Sequence, residues 1–150
     1  MLLACSPQAP AQNAPAETVK ADLRAQTGLR EVQLTIRTKT AVHHFTVEVA
    51  ASLQQQEQGL MFRRSLGADK GMIFPYDPPQ DVSFWMKNTL IPLDILFIRT
   101  DGKIVRIATG EPMSLDPIGP PEPIAVVLEI RGGRAAELGI KEGDMVVWPR

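Results

Sequence analysis

Val32, Leu34 and Ile36 alternate with Gln33, Thr35 and Arg37, and Phe45, Val47 and Val49 alternate with Thr46 and Glu48. Alternation with period two sends successive side chains to opposite faces, so the pattern predicts two half-buried strands joined as a hairpin through residues 38–42. The period changes at Ser52. Gln55 follows three residues later as in a capping box, and Leu53, Leu60 and Met61 recur at roughly helical spacing, which predicts a short helix over about residues 52–63. Residues 71–74 predict a brief strand, closed by the turn-rich Pro75-Tyr76-Asp77-Pro78-Pro79. Residues 82–87 and 93–98 predict two more strand segments, broken near residues 88–92 because Pro92 cannot donate to a central ladder.

Asp101-Gly102 is a tight-turn signal between the apolar stretches 95–98 and 104–107, hence a second hairpin. Residues 111–123 carry five prolines and predict an extended loop, of a kind that often covers something. An apolar strand over residues 124–130 follows, then a helical turn over 134–138 ended by Gly139. A last strand over 145–148 comes after the turn Glu142-Gly143-Asp144. About seven strands with one or two short helices imply a mainly β (α+β) domain, and a small barrel-like or rolled sheet would best hide its edges.

Composition narrows this picture. A chain of 150 residues, 44% hydrophobic and 22% charged, suffices for one domain with a real core. Residues 1–28, low in large apolar side chains, are expected to be a Pro/Ala-rich tether, and residues 29–150 a single globular domain. With 16 Lys+Arg against 17 Asp+Glu the net charge is -1, so no global field recruits nucleic acid or an anionic membrane. No apolar run approaches the roughly 18 residues that a membrane-spanning helix needs.

The only cysteine, Cys5, sits in Leu2-Leu3-Ala4-Cys5-Ser6 ahead of a proline-rich stretch over residues 6–19. This resembles the lipobox of bacterial lipoproteins, in a truncated form that lacks the apolar region of an export signal. It implies lipidation at Cys5 and a periplasmic domain, with Ser6 pointing to the outer membrane. Membrane contact is expected only through that anchor.

Longer motifs are more specific. Gln58-Gly59-Leu60-Met61-Phe62-Arg63, Gly71-Met72-Ile73-Phe74, the run FWMKNTLIPLDILFI over residues 84–98, Gly102-Lys103-Ile104-Val105 and Val127-Leu128-Glu129-Ile130 lie in one order along the chain. They are followed by Gly132-Gly133 and by Gly139-Ile140-Lys141-Glu142-Gly143-Asp144. In these motifs the chain resembles the bacterial and archaeal family called domain of unknown function 192. The resemblance implies a small β-rich, barrel-like, often exported domain and carries no activity with it. Arg131 departs from the small or proline residue that relatives more commonly place before the glycine, which affects one turn. Residues 135–147 also look like the end of a PDZ domain, but a glycine-ended helix and a Gly-Asp turn into a strand explain that likeness.

Candidate chemistry is sparse. His43 and His44 are adjacent on a predicted strand and point to opposite faces, so they cannot clamp one ion. No nucleophile elbow or phosphate loop is recognisable, and no metal or cofactor is expected. The run over residues 84–98 is different, because Lys87, Asn88 and Asp94 lie within apolar sequence and a buried polar group needs a partner. Alternation puts Asp94 on a face with Leu96 and Ile98, opposite Leu93, Ile95 and Phe97, and both faces look buried.

Asp94 is therefore expected to meet Asn88, Thr89, Lys87 or Arg63, or to tie down the turn at residues 88–91. The expected site is a pocket of Arg63, Trp85, Lys87, Asn88 and Asp94 that binds a small polar ligand or an envelope protein. Arg63 or Lys87 would pair an anionic group, Asn88 and Asp94 would hydrogen-bond, and Trp85 would pack. The alternative is an enzyme using Asp94 or Glu129 for acid/base chemistry on an envelope component. Burial would raise either pKa, and a nearby Arg63 or Lys87 would lower it.

Overall fold

A computed structural model describes residues 24–150. Cys5, its expected lipid anchor and most of the expected tether lie outside the described residues. The described elements are β1 (Glu31–Arg37), β2 (Val42–Val49), α1 (Leu53–Gln58), β3 (Lys70–Gln80) and β4 (Leu93–Ile98). They continue with β5 (Ile104–Gly110), β6 (Ile124–Arg131), α2 (Arg134–Leu138) and β7 (Met145–Val147). The seven strands form one sheet in the order β5-β4-β6-β3-β2-β1-β7. Only β2 and β3 pair in parallel, after a crossover through α1. The two outer strands then approach each other. The Ile104 N–H donates to the Asp144 carbonyl at 3.0 Å and the Val146 N–H to the Gly102 carbonyl at 2.8 Å, so the sheet curls into a half-barrel with protected edges.

Two cores result. Leu34, Ile36, Phe45, Val47, Ile73, Leu96, Leu128 and Val146 meet inside the curl, which draws side chains from all seven strands. Met72, Phe74, Leu93, Ile95, Phe97 and Val127 form a second core on the other face, beneath Leu60, Met86 and the partly buried Phe84 and Ile118. β4 is buried at every position, as expected from its unbroken apolar sequence, because it lies between β5 and β6 with a core on each face.

Local chemistry accounts for most boundaries. The Gln55 N–H donates to Ser52 Oγ at 3.1 Å and the Ser52 N–H to Gln55 Oε1 at 3.0 Å, completing the capping box of α1. The helix ends sooner than the sequence spacing suggests. It buries none of its own residues, Gly59 turns the chain at φ 48°, and Leu60 dives into the second core. Residues 24–28, the end of the expected tether, are held onto this helix. The Gln26 amide donates to the carbonyls of Gln55 at 2.9 Å and Gly59 at 2.8 Å.

Two expected boundaries are corrected. β3 does not stop at Phe74 but runs to Gln80, and Pro78 and Pro79 fit because pairing with β6 shifts register between Pro75 and Gln80, where no regular ladder needs their N–H groups. Residues 82–87 form no strand. Val82, Phe84 and Met86 do face inward, but their only ladder contact is a single bridge from Phe84 to Ile118 in the proline-rich loop. That loop thus covers the second core.

Candidate functional site

Asp94 has its partners, and they are distant in sequence. The Gly133 N–H donates to Asp94 Oδ1 at 3.0 Å and the Ala135 N–H to Oδ2 at 2.8 Å. Gly133, in the left-handed conformation at φ 85°, has no side chain with which to cap α2. The carboxylate of β4 supplies the missing cap and accepts the orphan donors of the first turn. This replaces the expected partnership with residues 63 or 87–91.

The other residues of the expected pocket are likewise engaged elsewhere. Arg63 forks onto both oxygens of Glu48 and donates from Nη2 to the Gln26 carbonyl at 3.0 Å. Lys87 is exposed and lies over the Trp85 ring, 5.1 Å from its centroid. Asn88 serves through its backbone. It adopts a left-handed φ of 55°, and its carbonyl accepts the Phe62 N–H at 2.8 Å. Phe62 and Met113 are left-handed too, and the Met113 N–H donates to the Thr89 carbonyl at 3.0 Å. Three non-glycine residues in this costly region therefore interlock around residues 86–89, and such strain concentrates at functional sites.

Trp85 leads to a different site. A cavity of about 580 Å³ lies between α1, the outer face of the sheet and residues 80–89, a size that suits a small molecule. Phe74 and Tyr76 of β3, Phe84 and Trp85 form its aromatic wall, and Gln80, Ser83 and Thr89 add polar groups. Phe74 and Phe84 meet edge to face with centroids 5.1 Å apart.

The cavity's most unusual member is Glu129 of β6. Register places it beside Met72 of β3 and Ile95 of β4, on the face of the second core, and it is 5% exposed. Among the described residues no donor or cation offsets that burial, and desolvation pushes its carboxyl from an ordinary 4.5 up to about 8. Tyr76 is pushed up to about 12, first by burial and then by the charge of Glu129.

Of the residues singled out from sequence, the structure therefore brings Trp85, Glu129 and Thr89, the last expected only as a partner of Asp94, to one cavity and leaves Arg63, Lys87, Asn88 and Asp94 off its wall. Tyr76, Gln80 and Ser83 had no distinguishing signal. Tyr76 lay among prolines that suggested a turn, and only the adjacency of Phe84 to Trp85 hinted at an aromatic wall.

A seven-stranded, antiparallel-dominated sheet curled into a half-barrel with two short helices defines the fold class of this protein. The chain belongs to the family of domain of unknown function 192, described as Uncharacterized ACR, whose model matches residues 34–148. Among solved structures it is similar to a protein of unknown function from Novosphingobium aromaticivorans, with 45% identity, a TM-score of 0.79, and coverage of 81% of this chain and 88% of that one. It is also similar to a candidate transcription regulator from Sinorhizobium meliloti, at 38% identity and a TM-score of 0.79, covering 82% of this chain and 97% of that one. No curated protein matches the chain.

Proposed function

We propose that this domain binds a small polar ligand, without chemical conversion, in the cavity bounded by Glu129 and Trp85. One observation carries the reading: a buried carboxyl with no partner among the described residues opens onto a cavity of ligand size. A polar group left without a partner on folding costs free energy, which a ligand can recover by supplying one. Trp85, 48% exposed at the cavity wall, provides an apolar face for the same ligand. A screen of small polar compounds by NMR tests this. Saturable shifts at the Trp85 indole N–H and around Glu129, weakened by Trp85→Ala and Glu129→Gln, are expected. Binding that maps elsewhere and survives both substitutions contradicts it.

General acid–base catalysis by Glu129 is the second reading. It is favoured by a carboxyl whose pKa of about 8 lets it exchange a proton near neutral pH. A turnover that persists in Glu129→Gln discards it.

The place of action in this proposal is the cell envelope, with the domain held to the outer membrane by lipid on Cys5. Its support is the sequence Leu2-Leu3-Ala4-Cys5 and the proline-rich stretch after it. Incorporation of labelled palmitate that is lost in Cys5→Ser supports the anchor, and unlabelled protein in the soluble fraction rejects it.

A further inference from the structure

Among the described residues lining the cavity, only two carry formal charge, Glu57 of α1 and Glu129 of β6, and both are acids. No described lysine, arginine or histidine is among them, so this wall offers no cation to pair a phosphate or carboxylate, and Glu57, joined by Glu129 once it ionises, would repel either. The remainder of the wall is rich in rings. The faces of tyrosine, phenylalanine and tryptophan carry negative quadrupole charge and attract cations within about 6 Å. Trp85 already takes the ammonium of Lys87 5.1 Å from its centroid, so this ring accepts a cation in this fold.

We propose that the ligand of this cavity is an organic cation, an ammonium or quaternary ammonium group seated on the Glu129 carboxylate and walled by the rings of Tyr76, Phe84 and Trp85. The proposal rests on the reading of the cavity as a ligand site and specifies its chemistry. A bare metal ion suits the wall less well. Divalent cations with oxygen ligands take several at once, and among the described residues no group of three His, Cys, Asp or Glu side chains gathers. An organic cation needs one counter-charge and an apolar surround, and the cavity provides both.

Proton linkage gives the proposal a signature. Among the described residues, the titratable groups that line the cavity with Glu129 are Tyr76 from β3 and Glu57 from α1, while β4 presents Ile95 and residues 80–89 add no titratable group to the wall. Tyr76, pushed up to about 12, stays neutral below that pH. A cation binds the ionised form of Glu129, so its affinity climbs about tenfold per pH unit below about 8 and levels off above. A neutral ligand that needs the protonated carboxyl as a donor follows the opposite course.

The test uses the full chain, Trp85 fluorescence and calorimetry, with choline as the cationic probe and 3,3-dimethylbutan-1-ol as its uncharged isostere. Saturable choline binding is expected, at least about tenfold tighter than the isostere. It should strengthen roughly tenfold or more between pH of about 6.5 and about 8.5, and fall at least about tenfold in Glu129→Gln. Equal affinity for the isostere, or a choline affinity unmoved by both pH and Glu129→Gln, overturns the cation proposal. If choline fails while neutral compounds still shift the Glu129 and Trp85 resonances, the cation chemistry is wrong and the ligand site stands. If no compound of either charge reaches the cavity, both fall.

Discussion

Asp94 and Glu129 are both 5% exposed, lie on neighbouring central strands, and face opposite sides of the sheet. Asp94 points with Leu96 and Ile98 toward the inner core and is met by two backbone donors of α2. Glu129 points with Met72 and Ile95 toward the outer core and is met by no donor among the described residues. Burial is thus equal and fate is not. A carboxylate whose acceptors are filled is part of the scaffold, whereas one left open beside a cavity is available for chemistry.

The largest expected effect tests the first half of this contrast. Asp94→Ala leaves the Gly133 and Ala135 N–H groups without their acceptor, and loss of two hydrogen bonds to a charged group costs about 3–5 kcal/mol. Urea unfolding should show that loss, and a change below about 1 kcal/mol would mean that water or a rearranged α2 replaces the cap.

Of similar size is the pH dependence of Glu129. Its folded pKa is raised from 4.5 to about 8, so its contribution is fully present below the unfolded value and fades as pH climbs through the folded one. The native chain should lose stability across that window by on the order of 1.4 kcal/mol for each pH unit of the upward shift, and Glu129→Gln should lack this component. Parallel stability curves for the two proteins would refute the contrast.

Smaller effects place the remaining residues. Arg63→Ala removes a partly buried fork onto Glu48 and a bond to the Gln26 carbonyl, and should cost about 1–3 kcal/mol while leaving cavity binding unchanged. Lys87→Ala removes an exposed cation from one ring and should alter stability by under about 0.5 kcal/mol. Weaker ligand binding in Arg63→Ala, with stability intact, would return Arg63 to the site.

Much of the scaffold was legible because it follows from short-range rules. Alternation marked β1 and β2, Ser52 and Gln55 marked the start of α1, Asp101-Gly102 marked the β4–β5 turn, and the unbroken apolar sequence of residues 93–98 marked a strand buried on both faces. Residues 82–87 show the limit of periodicity. Their inward and outward positions alternate as in a strand, but the neighbour they would pair with is a proline-rich loop that offers one bridge. Tyr76 shows another limit, since three nearby prolines imitate a turn while a register shift keeps the backbone extended.

The site was legible only in its pieces. That Asp94 and Glu129 need partners follows from their apolar flanks. Which of them finds one depends on contacts between residues 39 and 41 positions apart, and on a cavity assembled from α1, β3, β6 and residues 80–89. The motif over residues 84–98 therefore divides differently from its chemistry on paper. Trp85 reaches the cavity, Asp94 caps a helix, Asn88 shapes a turn and Lys87 stacks outside on the tryptophan.

Glu129 is a buried carboxyl that no donor or cation among the described residues meets. Carbon-13 NMR of its side-chain carboxyl, assigned by comparison with Glu129→Gln and followed across pH, tests that directly. A midpoint near 8 is predicted, and a midpoint in the ordinary range near 4.5 would contradict it.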